Sequence, residues 1–156
     1  MEKTNVMRLL DARGIAYVPH RYDAGDPPPS GMEVARMLGR DPASVFKTLV
    51  TQGASRRYYV FVIPVAEELS LKKAAAVVGE KSVAMLKSKD LLPLTGYVHG
   101  GCSPIGMKKP FPTAVDETVE LCDTVIFSAG KIGYQVEITL DELKKAIDFR
   151  LADIAS

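Results

Sequence analysis

Residues 45–65 read VFKTLVTQGASRRYYVFVIPV: two runs rich in β-branched and aromatic residues, VFKTLVTQ and RRYYVFVIPV, separated by a turn containing Gly53. Such runs fit a pleated, largely buried surface, and a short glycine-bearing gap joins them as a hairpin of long central strands. Alternation along the first run sets Val45, Lys47 and Leu49 on one face. A lysine on an apolar face is costly unless something uses its charge.

Outward from this hairpin the chain mixes helix and strand signals. TNVMRLLDARG (4–14) predicts a helix capped by Thr4, with Val6, Leu9 and Leu10 on one face and Gly14 just past its end. IAYVPHRY (15–22) predicts a strand that Pro19 confines to an edge or an irregular position, and DAGDPPPSG (23–31) a loop. Ser30 and Glu33 have capping-box spacing, opening a helix that closes at Gly39. SLKKAAAVVG (70–79) predicts a helix between Ser70 and Gly79, KSVAML (81–86) a short strand, SKDLLPLTG (88–96) a helical segment and YVH (97–99) a strand. TAVDE, DTVIFSAG and YQVEIT supply further strands, with SAGKIG (128–133) as the turn between the last two. Thr139 and Glu142 cap a final helix, LDELKKAI. Hairpins mixed with crossover helices predict an α/β fold with a mixed, barrel-like central sheet and surrounding helices; a doubly wound parallel sheet fits less well.

The 156 residues predict one domain, 1–156, with 47% hydrophobic and 25% charged residues as in soluble globular chains. Twenty Lys and Arg against nineteen Asp and Glu leave a net charge of +1, so no global field draws the chain to nucleic acid or to anionic lipid. The lysines at 72–73, 81–89 and 108–109 read as solvated faces. Cys102 and Cys122 are too few for a disulfide framework, and MEKTNVMRLL lacks the apolar centre of a secretory signal. With no run long enough to span a bilayer, the expected setting is the cytoplasm, without membrane attachment.

GGCSPIGMKK (100–109) concentrates glycines, a thiol, a hydroxyl and two lysines. A phosphate-binding P-loop fails because Met107, Lys108, Lys109 and Pro110 follow where that loop requires Lys-Ser or Lys-Thr and a helix. Zinc held by His20, His99, Cys102 and Cys122 lacks the second close pair that structural sites show, so no metal and no cofactor is expected. Cys102 as nucleophile with His99 as base places the pair too near in sequence for the usual geometry. The remaining chemistry is backbone N–H groups converging on a carbonyl oxygen or phosphate, with Ser103 as an added donor and Pro104 stiffening the loop.

GGCSPIGMKK, VFKTLV around Lys47 and FSAGKIG around Ser128 together resemble the YbaK family of Cys-tRNA(Pro) deacylases, within the editing-domain superfamily of prolyl-tRNA synthetase. The similarity runs from the MEKTNVMRLL helix to the terminal FRLADIA. It implies a stand-alone trans-editing enzyme that removes cysteine from mischarged proline tRNA, with Cys-tRNA(Cys) a second candidate substrate that the sequence alone does not decide. The resemblance assigns Lys47 and Gly101 to catalysis. It assigns Tyr22, Thr48, Gly100, Ser103, Pro104, Ser128, Gly130 and Gln135 to substrate binding. Gln135 departs from the family, which often has an acid there; an amide keeps hydrogen bonding but cannot act as a base. The expected partners are the tRNA(Pro) acceptor end and, transiently, prolyl-tRNA synthetase. Alternatives are an Ala-tRNA(Pro) deacylase of the same superfamily and a catalytically silent aminoacyl-tRNA or nucleotide-binding module.

Overall fold

The computed structural model describes residues 1–156. Its centre is the hairpin of β2 (Phe46–Gly53) and β3 (Tyr58–Pro64), paired antiparallel from Phe46 opposite Pro64 to Gln52 opposite Tyr58. On one side β4 (Val83–Met85) extends β2 antiparallel; on the other, β5 (Thr113–Asp116) and β8 (Arg150–Ala152) add in parallel, giving the order β4-β2-β3-β5-β8. A second, three-stranded sheet has the order β1-β7-β6, all antiparallel, from Val18–Arg21, Tyr134–Ile138 and Val125–Ser128. The expected mixed sheet is present, but as two sheets that touch at one parallel bridge, Val45 to Ile126, not as a closed barrel. Pro19 lies in β1, an edge strand, as its missing N–H requires.

Alternation divides the hairpin between two cores. Phe46, Val50, Val60 and Val62 face the large core shared with Val125, Phe127, Val136 and Ile138 of the second sheet, under Val6, Met7 and Leu10 of α1 (Asn5–Ala12). Leu9 lies 37% exposed and Met7 is buried in its place, so the buried stripe of the helix is rotated from the expected one. Tyr59, Phe61 and Ile63 face Ala74 and Ala75 of α3 (Leu71–Val78). A third, small core joins Ala35 of α2 (Gly31–Leu38) to Val45, Val65 and Ile126, across the point where the sheets meet.

The predicted helix starts are present. Thr4, Ser30, Ser70 and Thr139 each accept an amide from the first turn of α1, α2, α3 and α5 (Leu140–Ala146), and Ser30 with Glu33 completes a reciprocal capping box. These bonds satisfy amides that the helices leave orphaned. Two further features differ from the sequence reading. Tyr97, Val98 and His99 form no strand: after α4 (Ser88–Thr95) the chain turns, with Tyr97 buried and its hydroxyl donating to the Ile105 carbonyl at 2.5 Å. β8 went unpredicted because three residues carry no readable alternation; Asp116, 1% exposed, anchors the chain beyond it by accepting the Ile154 and Ala155 amides, both at 3.2 Å.

Candidate active site

The site begins where the sheets meet and part. Val65 donates its amide to the Val45 carbonyl at 2.8 Å, and Ile126 donates to the Ser44 carbonyl at 2.9 Å, clamping β6 to the start of β2. Beyond that bridge the strands diverge into separate sheets. Lys47 is two residues past Val45 and Ser128 two past Ile126, so the period-two pleat turns both to the same side at the mouth of the gap. Lys47 is half-buried, opposite Ile63, and no carboxylate reaches its ammonium. An unpaired ammonium beside apolar neighbours favours any anion or oxygen brought to it. Thr48 is on the opposite face with Phe46 and Val50, and its hydroxyl is buried without a partner.

The β6–β7 turn brings more of the predicted residues together. Ser128 Oγ accepts the Gly130 amide at 3.1 Å, and Gly133 accepts the Tyr22 amide at 2.9 Å. Gly130 has φ +91°, and a Cβ there would come within 2.9 Å of Tyr97 and 3.0 Å of Val6, so only glycine fits. Gln135 pairs with Ser128 on one side and His20 on the other and is 6% exposed; its amide bonds to no protein group.

The glycine loop abuts this turn: a Cβ at Gly101 would lie 3.1 Å from the Ile132 nitrogen and 3.4 Å from the Lys131 carbonyl carbon. The loop's donors are distributed differently from expectation. Gly101 spends its amide on the Val98 carbonyl at 3.0 Å, while the flanking amides of Gly100 and Cys102 have no protein acceptor. Ser103 is fully buried, and its Oγ accepts the Ile105 amide at 3.2 Å in a local turn. Pro104 lines a separate cleft with Arg13, Met107 and Ile147.

The other readings of the loop lose their geometry. Cys102 is 8% exposed, and burial pushes its thiol up to about 12, whereas His99 is exposed and bonds nothing near it. A thiol so raised is not a thiolate at neutral pH. His20 is held by Glu137, and Cys122 Sγ points to the Ala43 carbonyl at 3.5 Å, so the four candidate zinc ligands do not converge.

One cluster escaped the sequence reading. Glu137 of β7, 7% exposed, accepts two bonds from Arg40 at 3.0 and 3.1 Å, one from His20 Nε2 at 2.7 Å and one from the Thr124 hydroxyl. Burial pushes its carboxyl up, but the Thr124 and His20 bonds and the Arg40 charge outweigh that and hold it below its ordinary value. It lies two residues beyond Gln135 on the same face and ties β1, β7 and the loop after α2 together. The signal was available: an acid in mid-strand, in YQVEI, needs a buried partner.

Comparison with known proteins bears on this arrangement. Residues 29–146 match the model of the aminoacyl-tRNA editing domain. A protein of Enterococcus faecalis, provisionally named Cys-tRNA(Pro)/Cys-tRNA(Cys) deacylase EbsC, is 41% identical over 155 residues, 99% of this chain and 94% of its own length. A solved structure described as a candidate trans-editing enzyme for prolyl-tRNA synthetase superposes with TM-score 0.84 at 23% identity, covering 99% of both chains. A second, solved as a hypothetical protein, gives TM-score 0.88 at 23% identity, covering 98% of this chain and 100% of that one. At that identity the two structures speak to the fold alone.

Proposed function

We propose, from the premise that this chain belongs to the aminoacyl-tRNA editing domain family, that it is a trans-editing deacylase hydrolysing cysteine from mischarged tRNA(Pro), and from tRNA(Cys) as well. The observation that carries the chemical reading is a site with a cation and unspent backbone donors but no activated nucleophile. Lys47 is half-buried and unpaired, and the one cysteine in the glycine loop is protonated and buried.

Such a site positions and polarises. Lys47 would bind the ribose–phosphate end of the terminal adenosine, orienting the ester across the gap. The free amides of Gly100 and Cys102, with Gly101 allowing close approach, suit the oxygen that gains negative charge as the ester is attacked. Tyr22, Ser128, Gly130 and Gln135 would line the aminoacyl pocket, Gln135 by hydrogen bonding. Thr48, Ser103 and Pro104 would act by shaping the strand and loop around that pocket.

The nucleophile comes from the substrate. The cysteine Sγ attacks its own ester carbonyl carbon, forming a C–S bond as the C–O bond to the ribose breaks. The thiol proton ends on the departing ribose oxygen, and water opens the resulting four-membered thiolactone to free cysteine. A thiol with pKa about 8.5 is a few per cent ionised at neutral pH and strongly nucleophilic, whereas serine and alanine offer nothing comparable. Chemistry thus discriminates where size cannot, since one methylene is worth only about 1–3 kcal/mol. Cysteine and S-methylcysteine on the same tRNA test this: cysteine is released and the methyl thioether is retained. Equal release of both would overturn thiol assistance, and preferential release of alanine would identify an alanine-specific editor.

With a net charge of +1, tRNA affinity is modest and salt-sensitive. Prolyl-tRNA synthetase, as a transient partner, would supply the rest by presenting the acceptor end. Equally tight tRNA binding with and without synthetase would contradict that role.

A further inference from the structure

The β6–β7 turn has an outer side that the reaction does not use. There Lys131 of the turn donates to the Glu2 carboxylate at 2.7 Å. That carboxyl is drawn below its ordinary value by the Lys131 hydrogen bond first, then by the charge of Lys131, with Arg8 of α1 and Arg21 of β1 adding to it. Lys131 of the turn and Arg21 of β1 are brought together here by one aromatic ring, with the Glu2 carboxylate held on Lys131. Arg21 has no carboxylate partner of its own, and the Arg21 and Lys131 side chains are both exposed.

Tyr134 organises them. Its ring has the Arg21 guanidinium 5.9 Å and the Lys131 ammonium 5.3 Å from its centroid, and Arg21 is its direct cross-strand partner. Cations held over an aromatic face keep their charge but lose freedom, so a second anion orders less when it binds. The patch also adjoins the site: the Lys131 carbonyl carbon lies 3.4 Å from where a Gly101 Cβ would stand.

We propose that Lys131 and Arg21 form a phosphate track for the single-stranded 3′ end of the tRNA, leading the terminal adenosine over the β6–β7 turn to Lys47. Glu2 occupies the phosphate position when RNA is absent and is displaced when it binds. This rests on the deacylase reading above. It answers a question that net charge leaves open: a nearly neutral chain needs a local cluster to hold a polyanion, and this cluster borders the site. Guanidinium groups suit phosphodiester oxygens better than the scattered lysines of other faces, because their planar donors pair two oxygens at once.

The test is equilibrium binding of uncharged tRNA(Pro) to the full chain over a series of salt concentrations, for wild type and for Lys131→Ala, Arg21→Ala and Glu2→Gln. Lys144→Ala, on α5, is the control. Each lost single-strand phosphate contact lowers the slope of log K against log salt by roughly 0.7. The expected result is that reduction for Lys131→Ala and Arg21→Ala, tighter binding for Glu2→Gln, and no change for the control. A blunt RNA duplex without a 3′ overhang should show no such differences. Unchanged slopes for both Lys131→Ala and Arg21→Ala, or equal effects on the blunt duplex, would overturn the track. Hydrolysis of 3′-cysteinyl adenosine, which lacks the flanking phosphates, separates the two claims. The patch variants should cleave it like wild type, and a slowed Lys131→Ala would move Lys131 into the reacting site and against the track. If wild type cleaves neither this ester nor charged tRNA, the deacylase reading fails, while the binding slopes still decide the track.

Discussion

Glu137→Ala is a perturbation whose cost can be worked from the contacts. The carboxylate accepts bonds from Arg40 at 3.0 and 3.1 Å, from His20 at 2.7 Å and from Thr124, and alanine leaves all three facing a hole. Removing one member of a buried ion pair costs about 3–5 kcal/mol. Arg40 retains 42% exposure and can turn to water, so part of that is recovered and a loss of about 2–3 kcal/mol is expected. For a chain of this size that lowers Tm by roughly 4–12 °C. Urea unfolding followed by circular dichroism should show a lower midpoint with an unchanged slope. A loss below about 1 kcal/mol would refute the claim that this cluster joins β1, β7 and the α2–β2 loop. The pH dependence has a definite sign. A carboxyl held below its unfolded pKa adds stability that is present above that unfolded value and is lost as pH falls through the folded one. The stability gap between wild type and Glu137→Gln should therefore be constant above about pH 5 and close on acidification below it. A gap that widened in acid would contradict the assignment.

Cys102→Ser should retain deacylation, because a buried thiol pushed up to about 12 cannot serve as nucleophile; loss of activity with an intact fold would restore the protein-thiol mechanism. In the native protein, alkylation should reach Cys122 before the 8% exposed Cys102, read by mass spectrometry of the modified peptides. Gly101→Ala places a methyl 3.1 Å from the Ile132 nitrogen, displacing the glycine loop from the β6–β7 turn. Its kcat/KM should fall about 10- to 100-fold with little loss of stability, since small misplacements of a positioning site are costly; unchanged kinetics would remove Gly101 from the site.

The central hairpin was legible because its two runs are apolar on both faces, and both faces turn out to carry a core. Helix starts were legible because Ser and Thr caps act within three residues, the range over which a sequence pattern is also physical contact. Tyr97 misled: its β propensity is overridden by a buried hydroxyl that finds the Ile105 carbonyl, a contact no local pattern encodes. The split into two sheets depends on where β2 and β6 part after one bridge, which is likewise a long-range fact. Among the candidate site residues, Lys47 stands out by its polarity in an apolar run. The burial of Ser103 and of the Thr48 hydroxyl depends on packing that no motif shows, and Glu137 has no local signal for its partners, because His20, Arg40 and Thr124 come from distant segments.

The most direct measurement is deacylation of tRNA(Pro) charged in parallel with cysteine, alanine or serine, by wild type and by Lys47→Ala. Because Lys47 is half-buried and makes no ion pair, its loss should leave the fold intact while removing turnover. Selective release of cysteine that disappears in a folded Lys47→Ala is the predicted result; full cysteine release by that variant, or no release of any amino acid by wild type, would contradict the account.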